Sequence, residues 1–263
     1  VDGRIFWNKK FYIELAPSHQ LLVPDKGVFV TRFIEKVNTK FTLLVSLYDN
    51  DPHLAEIAQK CGADAIKAHL NVLHNASKTN FKSWKEEKEN LTRIIKSVNI
   101  PVGIVPGSEI AATYEEMLEI EELGFDFWDI FAHHAPPYLF NLKNMSKMMA
   151  VNYEYDLDYL PELEDLGVEI LETSIINPEE YGKILSAKDL SAYKYLIKKI
   201  SIPAVVPTQR KIKPEEVPVL MQVGFSGIGI GAVVTGKDYD TYEKAVSAFA
   251  KKVKEINEIY EKI

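Results

Sequence analysis

The stretch Ser201–Gly236, SIPAVVPTQRKIKPEEVPVLMQVGFSGIGIGAVVTG, restricts the fold of this chain more than any other segment. Ile202 to Val206 is an apolar, β-branched run that reads as a buried strand. Pro214-Glu215-Glu216 opens a helix, Gly224 closes it, and Gly227 to Ala232 reads as a second strand. Side chains alternate across a strand, so Ile228 and Ile230 share one face while Gly227, Gly229 and Gly231 share the other. The isoleucines suit packing beneath helices, and the glycine face admits another group close to the backbone. Backbone N–H groups just past such a strand are suited to holding a phosphate.

The same strand–helix alternation runs upstream. Strands are expected over 41–48, 63–70, 100–107, 125–132, 147–153 and 168–174, with helices over 52–60, 84–98, 114–123, 157–166 and 190–199. A last helix over 239–263 carries Ala245, Phe249, Val253 and Ile256 as its inner stripe. Eight strand–helix pairs predict an α/β fold, a single (β/α)8 TIM barrel over residues 41–263. Residues 1–40 are then an N-terminal extension: a hairpin over Gly3 to Leu15 that covers one barrel mouth, followed by a helical pattern of Val28, Phe29, Phe33, Ile34 and Val37. A length of 263 residues is ordinary for one such domain.

A net charge of −7 argues against a nucleic-acid or membrane partner, although a local basic site fits inside an acidic protein. The single Cys61 rules out an intramolecular disulfide framework and a cysteine-only zinc site, and fits a reducing, cytoplasmic setting. No signal peptide or membrane span is expected. A homo-oligomer is left open.

Sites in this architecture lie at the carboxyl ends of the strands, so the polar side chains that alternation turns inward there are the candidates. Strand two offers Lys67 and His69, strand four Asp129 and His133, strand five Asn152 and Glu154, and strand six Glu172 and Ser174. By the same parity strand one adds Ser46 and Tyr48 and strand seven Thr208 and Arg210, while His134 is expected against the helix layer. The catalytic candidates are Lys67, His69, Asp129, His133 and Glu172. The phosphate-binding candidates are Thr208, Gln209, Arg210, Gly229, Gly231, Ala232 and Val233. The bland alternatives are an ion pair of Lys67 with Glu172 or Asp129, core histidines, and a surface arginine on a turn. A divalent metal is a competing use of His69, His133, Asp129 and Glu172, but no short ligand spacing supports one, and no metal ligand is assigned.

The Ser201–Gly236 unit resembles the seventh and eighth strands of the ribulose-phosphate-binding barrels. Arg210, Pro214-Glu215-Glu216 and Gly231-Ala232-Val233 resemble N-acetylmannosamine-6-phosphate epimerase, whose strand-three lysine and strand-seven glutamate are here Pro106 and Thr208. That chemistry is therefore not carried over. Leu47 to Asp51, Pro101 to Ser108 and Ile170 to Ser174 resemble geranylgeranylglyceryl phosphate synthase. This second resemblance implies that Asp49 or Asp51 helps to hold magnesium and that Glu172 contacts a glycerol phosphate.

Three functions follow. The first is an isomerase, epimerase or lyase that moves a proton next to a carbonyl of a phosphorylated metabolite. The second is magnesium-dependent prenyl transfer to a glycerol phosphate. The third is a non-catalytic sensor of a phosphorylated ligand.

Overall fold

The computed structural model describes residues 30–260. The hairpin expected over Gly3 to Leu15, and Val28 and Phe29 of the leader, lie outside the described residues. The chain from there is α1 (Arg32–Thr39), β1 (Thr42–Ser46), α2 (Pro52–Lys60), β2 (Ala65–His69), a small hairpin β3 (Val72–Leu73) and β4 (Asn80–Phe81), α3 (Trp84–Ser97), β5 (Val102–Val105) and α4 (Tyr114–Leu123). It continues through β6 (Phe127–Phe131), β7 (Ser146–Asn152), α5 (Leu160–Asp165), β8 (Ile170–Ser174), α6 (Ala187–Ile197), β9 (Ala204–Pro207), α7 (Val217–Val223), β10 (Gly227–Ile230), α8 (Ala232–Thr235) and α9 (Tyr239–Tyr260). Eight parallel strands close a barrel in the order β1-β10-β9-β8-β7-β6-β5-β2, with helices between them, which is the (β/α)8 fold expected. No described helix is long and apolar enough to cross a membrane.

Local sequence sets several boundaries. Helix α6 begins three residues before the expected Leu190, because Ser186 and Asp189 form a reciprocal cap that satisfies the first backbone donors. The β3–β4 hairpin was not anticipated: its strands are two residues each, too short to show an alternating pattern.

Helix α1 closes the amino-terminal end of the barrel. Phe33 stacks on Phe127 at 4.1 Å between ring centroids, and Phe33 and Val37 pack with Leu44, Ala65, Met148, Ile170 and Val205 in a core distinct from the outer one. Asp126 fixes the docking by accepting from the Phe33 backbone N–H (2.9 Å) and from Arg32 Nε (2.8 Å). Inside the barrel at this end, Gly103 is obligatory: a Cβ there would lie 2.1 Å from the Phe127 ring. Gly227 is equally confined, 2.6 Å from the Thr42 carbonyl oxygen.

Candidate active site at the carboxyl end of the barrel

Strand alternation and the observed register place Lys67 on β2, Asp129 on β6, Glu172 on β8 and Gly229 on β10 at one height. These are alternate strands, which together supply one layer of a (β/α)8 interior. Such a layer usually holds four branched apolar side chains. Here it holds three ionisable groups and a glycine.

Lys67 Nζ donates to Asp129 Oδ2 and to Glu172 Oε2, and Glu172 Oε1 accepts from Ser174 Oγ at 2.8 Å. All three residues are buried, and Asp129 Oδ1 has no hydrogen-bond partner. Burial alone would strip the proton from Lys67, but the two adjacent carboxylates outweigh it and hold its pKa above that of an ordinary lysine. Burial, reinforced by the charge of Glu172, pushes Asp129 up to about 8 despite Lys67. Glu172 goes the other way: burial opposes its charge, but Lys67 and hydrogen bonds from Asp129, Lys67 and Ser174 hold it below the usual carboxylate range. Two carboxyl groups this close disfavour double ionisation, and the additional donor Ser174 favours the charge on Glu172. The surroundings thus favour an ammonium, a charged Glu172 and a protonated Asp129.

Above this layer opens a cavity of about 430 Å³, lined among others by Ser46, His69, His74, Asn152, Ser174 and Tyr181. Gly229 and Gly231 form its β10 wall, and neither is required by packing: a Cβ would meet its nearest neighbour at 3.7 Å and 3.5 Å respectively. What the two glycines contribute is space. His69 is buried with its ring stacked on Phe81 and tilted against His74, and its Nε2 lies 3.2 Å from Ser46 Oγ. Burial, then His74 and Lys67, hold its pKa well below that of free histidine. His133 stands at the exposed rim, where burial and the neighbouring His134 lower its pKa.

Several expectations need correction. The parity of strand seven is reversed: Val205 and Pro207 face the interior, because β9 carries apolar residues on both faces and alternation alone could not choose between them. Arg210 lies outside the barrel-mouth cavity, donating to Asp189 Oδ1 (2.7 Å) and to Glu180 Oε2 (2.9 Å) and carbonyl O (3.1 Å). Gln209 uses its amide to brace the loop after β8, accepting from Ile176 N and donating to the Ser174 carbonyl and Tyr181 Oη. Thr208 and Gln209 do line the cavity, and Thr208 Oγ1 accepts from Gly231 N at 3.0 Å. Ala232 and Val233 open the four-residue α8 and do not line the cavity. Tyr48 turns away, edge-on to Tyr242 at 5.6 Å. His134 lines the cavity instead of facing the helices, because β6 ends at Phe131 and the chain turns there, with His134 N donating to Phe131 O.

Asp49 and Asp51, the magnesium pair implied by the prenyl-transfer resemblance, each have hydrogen-bonding roles of their own. Asp51 caps α2 through His53 N and accepts from Tyr239 Oη, while Asp49 accepts from Asn50 N. Among the described residues no group of three or more His, Cys, Asp or Glu side chains is placed to hold a metal ion. His74, Asn75 and Tyr181 are not among the sequence candidates, because they sit on loops where period-two alternation carries no signal.

No protein-family model and no curated protein matches this chain. Solved structures do resemble it. Thiamine phosphate pyrophosphorylase from Pyrococcus furiosus aligns at 15% identity and a TM-score of 0.58, covering 85% of this chain and 98% of that one. (S)-3-O-geranylgeranylglyceryl phosphate synthase from Thermoplasma acidophilum, in complex with sn-glycerol-1-phosphate, aligns at 13% identity and 0.59, covering 84% and 96%. A 3-hexulose-6-phosphate synthase aligns at 15% and 0.59, covering 81% and 99%. The structural neighbours are thus TIM barrels of the ribulose-phosphate-binding kind, and at these identities the likeness is one of fold.

Proposed function

We propose that the protein is an enzyme that moves a proton next to a carbonyl group of a small phosphorylated metabolite bound in the barrel-mouth cavity. The observation that carries this reading is the layer formed by Lys67, Asp129, Glu172 and Gly229 at the floor of that cavity. Its parts have complementary tasks. Asp129, with a pKa pushed to about 8, exchanges its proton near neutral pH and is the acid or base. Lys67 is held protonated, so it does not form an imine; it stabilises the enolate oxygen or a developing negative charge. Glu172 keeps Lys67 charged and Asp129 protonated. A merely structural ion pair has no use for a third ionisable group or for an open glycine beside it.

The phosphate reading rests on the space at Gly229 and Gly231 and on the named substrates of neighbours of the same fold. Arg210 has no part in it, being committed to Asp189 and Glu180. Isomerases and epimerases begin with this proton transfer, and an aldol-type lyase exchanges the same proton through the enolate it forms, so one assay covers them.

The test is deuterium incorporation at carbon, followed by NMR in D2O, for a panel of phosphorylated ketoses and aldoses. The expected result is exchange by wild type with at least one panel member and a loss of about 10²–10⁴-fold in Asp129→Asn, the usual scale for a positioned acid or base. Exchange that persists in Asp129→Asn overturns the assignment. Binding without exchange in wild type identifies a sensor instead.

A further inference from the structure

The segment between β2 and α3 folds over the cavity and brings a second histidine to it. His74 follows β3, and three ties fix its loop. Thr79 Oγ1 donates to the Tyr48 carbonyl (2.7 Å), Lys237 Nζ donates to the Ser77 carbonyl (2.6 Å), and His74 N donates to Thr79 O (2.9 Å). Ser77 is 1% exposed and organises the ring: its backbone N–H donates to His74 Nδ1 (3.3 Å), and its hydroxyl lies 3.0 Å from the same nitrogen. Thr79 N in turn donates to Ser77 Oγ at 3.3 Å, which directs the hydroxyl proton toward Nδ1.

A backbone N–H cannot accept a hydrogen bond. His74 Nδ1 is therefore the acceptor, its lone pair is occupied, and the proton of the neutral ring resides on Nε2. Among the described residues no group accepts from that Nε2, and His74 is one of the cavity-lining residues. The ring lies tilted against His69 at 4.7 Å and edge-on to Phe81 at 6.2 Å, and His69 is stacked on Phe81 at 4.6 Å, so the three rings pack as one cluster.

We infer that His74 is a substrate-contacting residue: a permanently neutral imidazole whose Nε2–H donates a hydrogen bond to an oxygen of the bound metabolite, opposite the charged floor of the cavity. This inference rests on the proposed function and narrows its substrate class to compounds with an acceptor oxygen, carbonyl or hydroxyl, on the carbon skeleton as well as the phosphate. A preformed neutral donor polarises a carbonyl without offering a mobile proton, which leaves proton transfer to Asp129. The surrounding charges agree with a neutral ring. Burial, then Lys67 and Lys78, lower the His74 pKa to about 4, with Glu172 opposing, and the facing His69 is itself held neutral. Ser77 accordingly fixes the tautomer, acting as a positioning residue.

The experiment combines two readouts on the full chain. Long-range 1H–15N spectra of imidazole-labelled protein from pH 5 to 9 should show His74 as the Nε2–H tautomer with no titration. Ser77→Ala should bring a second tautomer into view. A ring that titrates between pH 5 and 8, or that carries its proton on Nδ1, overturns the inference.

The second readout is the affinity of the phosphorylated ketose and aldose panel for His74→Phe, which keeps a flat ring, and His74→Gln, which keeps an N–H donor. The expected pattern is a loss of about tenfold or more in His74→Phe and partial rescue in His74→Gln. Equal affinity in wild type and His74→Phe removes the substrate contact while leaving the proton-transfer reading intact. Failure of every panel member to bind wild type overturns both.

Discussion

The two ends of the barrel interior are built from the same strands to opposite rules. At the amino-terminal end Leu44, Ala65, Phe127, Met148, Ile170 and Val205 close around Phe33 and Val37, and the glycines there are demanded by contacts shorter than 3 Å. Two residues further along β2, β6, β8 and β10, the layer reads Lys67, Asp129, Glu172 and Gly229, and a Cβ on that glycine would make only ordinary contacts at the cavity wall. One end is packed for stability and the other accepts buried charge and a cavity, both of which cost stability. A protein keeps such a layer for a reason other than folding.

The sharpest way to break this contrast is to empty the apolar end. Phe33→Ala removes the ring stacked on Phe127 and should lower unfolding free energy by about 3–5 kcal/mol in urea titrations, while leaving ligand affinity at the other end within about twofold. A comparable loss of affinity would mean that the two ends are not independent.

At the polar end the sign reverses with the number of groups removed. Lys67→Met alone strands the Glu172 carboxylate and should cost about 3–5 kcal/mol. The triple variant Lys67→Met, Asp129→Asn, Glu172→Gln should recover most of that stability while losing proton exchange. A triple variant less stable than Lys67→Met would make the layer a structural device.

The glycines give a smaller effect and a finer comparison. Gly103→Ala should cost about 1–3 kcal/mol, since its Cβ would drive into the Phe127 ring. Gly229→Ala should change stability by less than about 0.5 kcal/mol, as a substitution that strains nothing, yet weaken ligand binding by filling the cavity. Equal melting temperatures for the two variants would contradict the distinction.

How much of this was readable in advance depended on which strands had one apolar face to set the parity. In β2 and β6 the residues Ile66, Ala68, Trp128 and Ile130 mark the outer face, which leaves Lys67, His69 and Asp129 inside, as found. Strand β9 offered no such contrast: Thr208, just past its end, does line the cavity, but Arg210 does not. Alternation also stops where a strand stops. His134, three residues past the end of β6, and His74, on the loop after β3, owe their positions to turns and to partners distant in sequence, such as Lys237 with Ser77. The helix α1 plug was partly legible as an apolar stripe. Its docking on Asp126 was not, because the partner lies more than 90 residues away.

The central claim is that one proton stays on Asp129 at neutral pH, and linkage gives it a thermodynamic sign. The native state holds this proton up to about pH 8, whereas the unfolded chain releases it near 3.8. The group's contribution to stability is therefore complete below pH 4 and is lost as pH rises toward 8, by at most about 1.4 kcal/mol per pH unit. Subtracting the Asp129→Asn profile from that of wild type removes the opposing histidine terms. The most direct measurement is the 13C carboxyl titration of Asp129 in protein labelled at aspartate, assigned by its absence in Asp129→Asn. The account predicts an inflection near pH 8 and none near pH 4; a single inflection near pH 4 would contradict it.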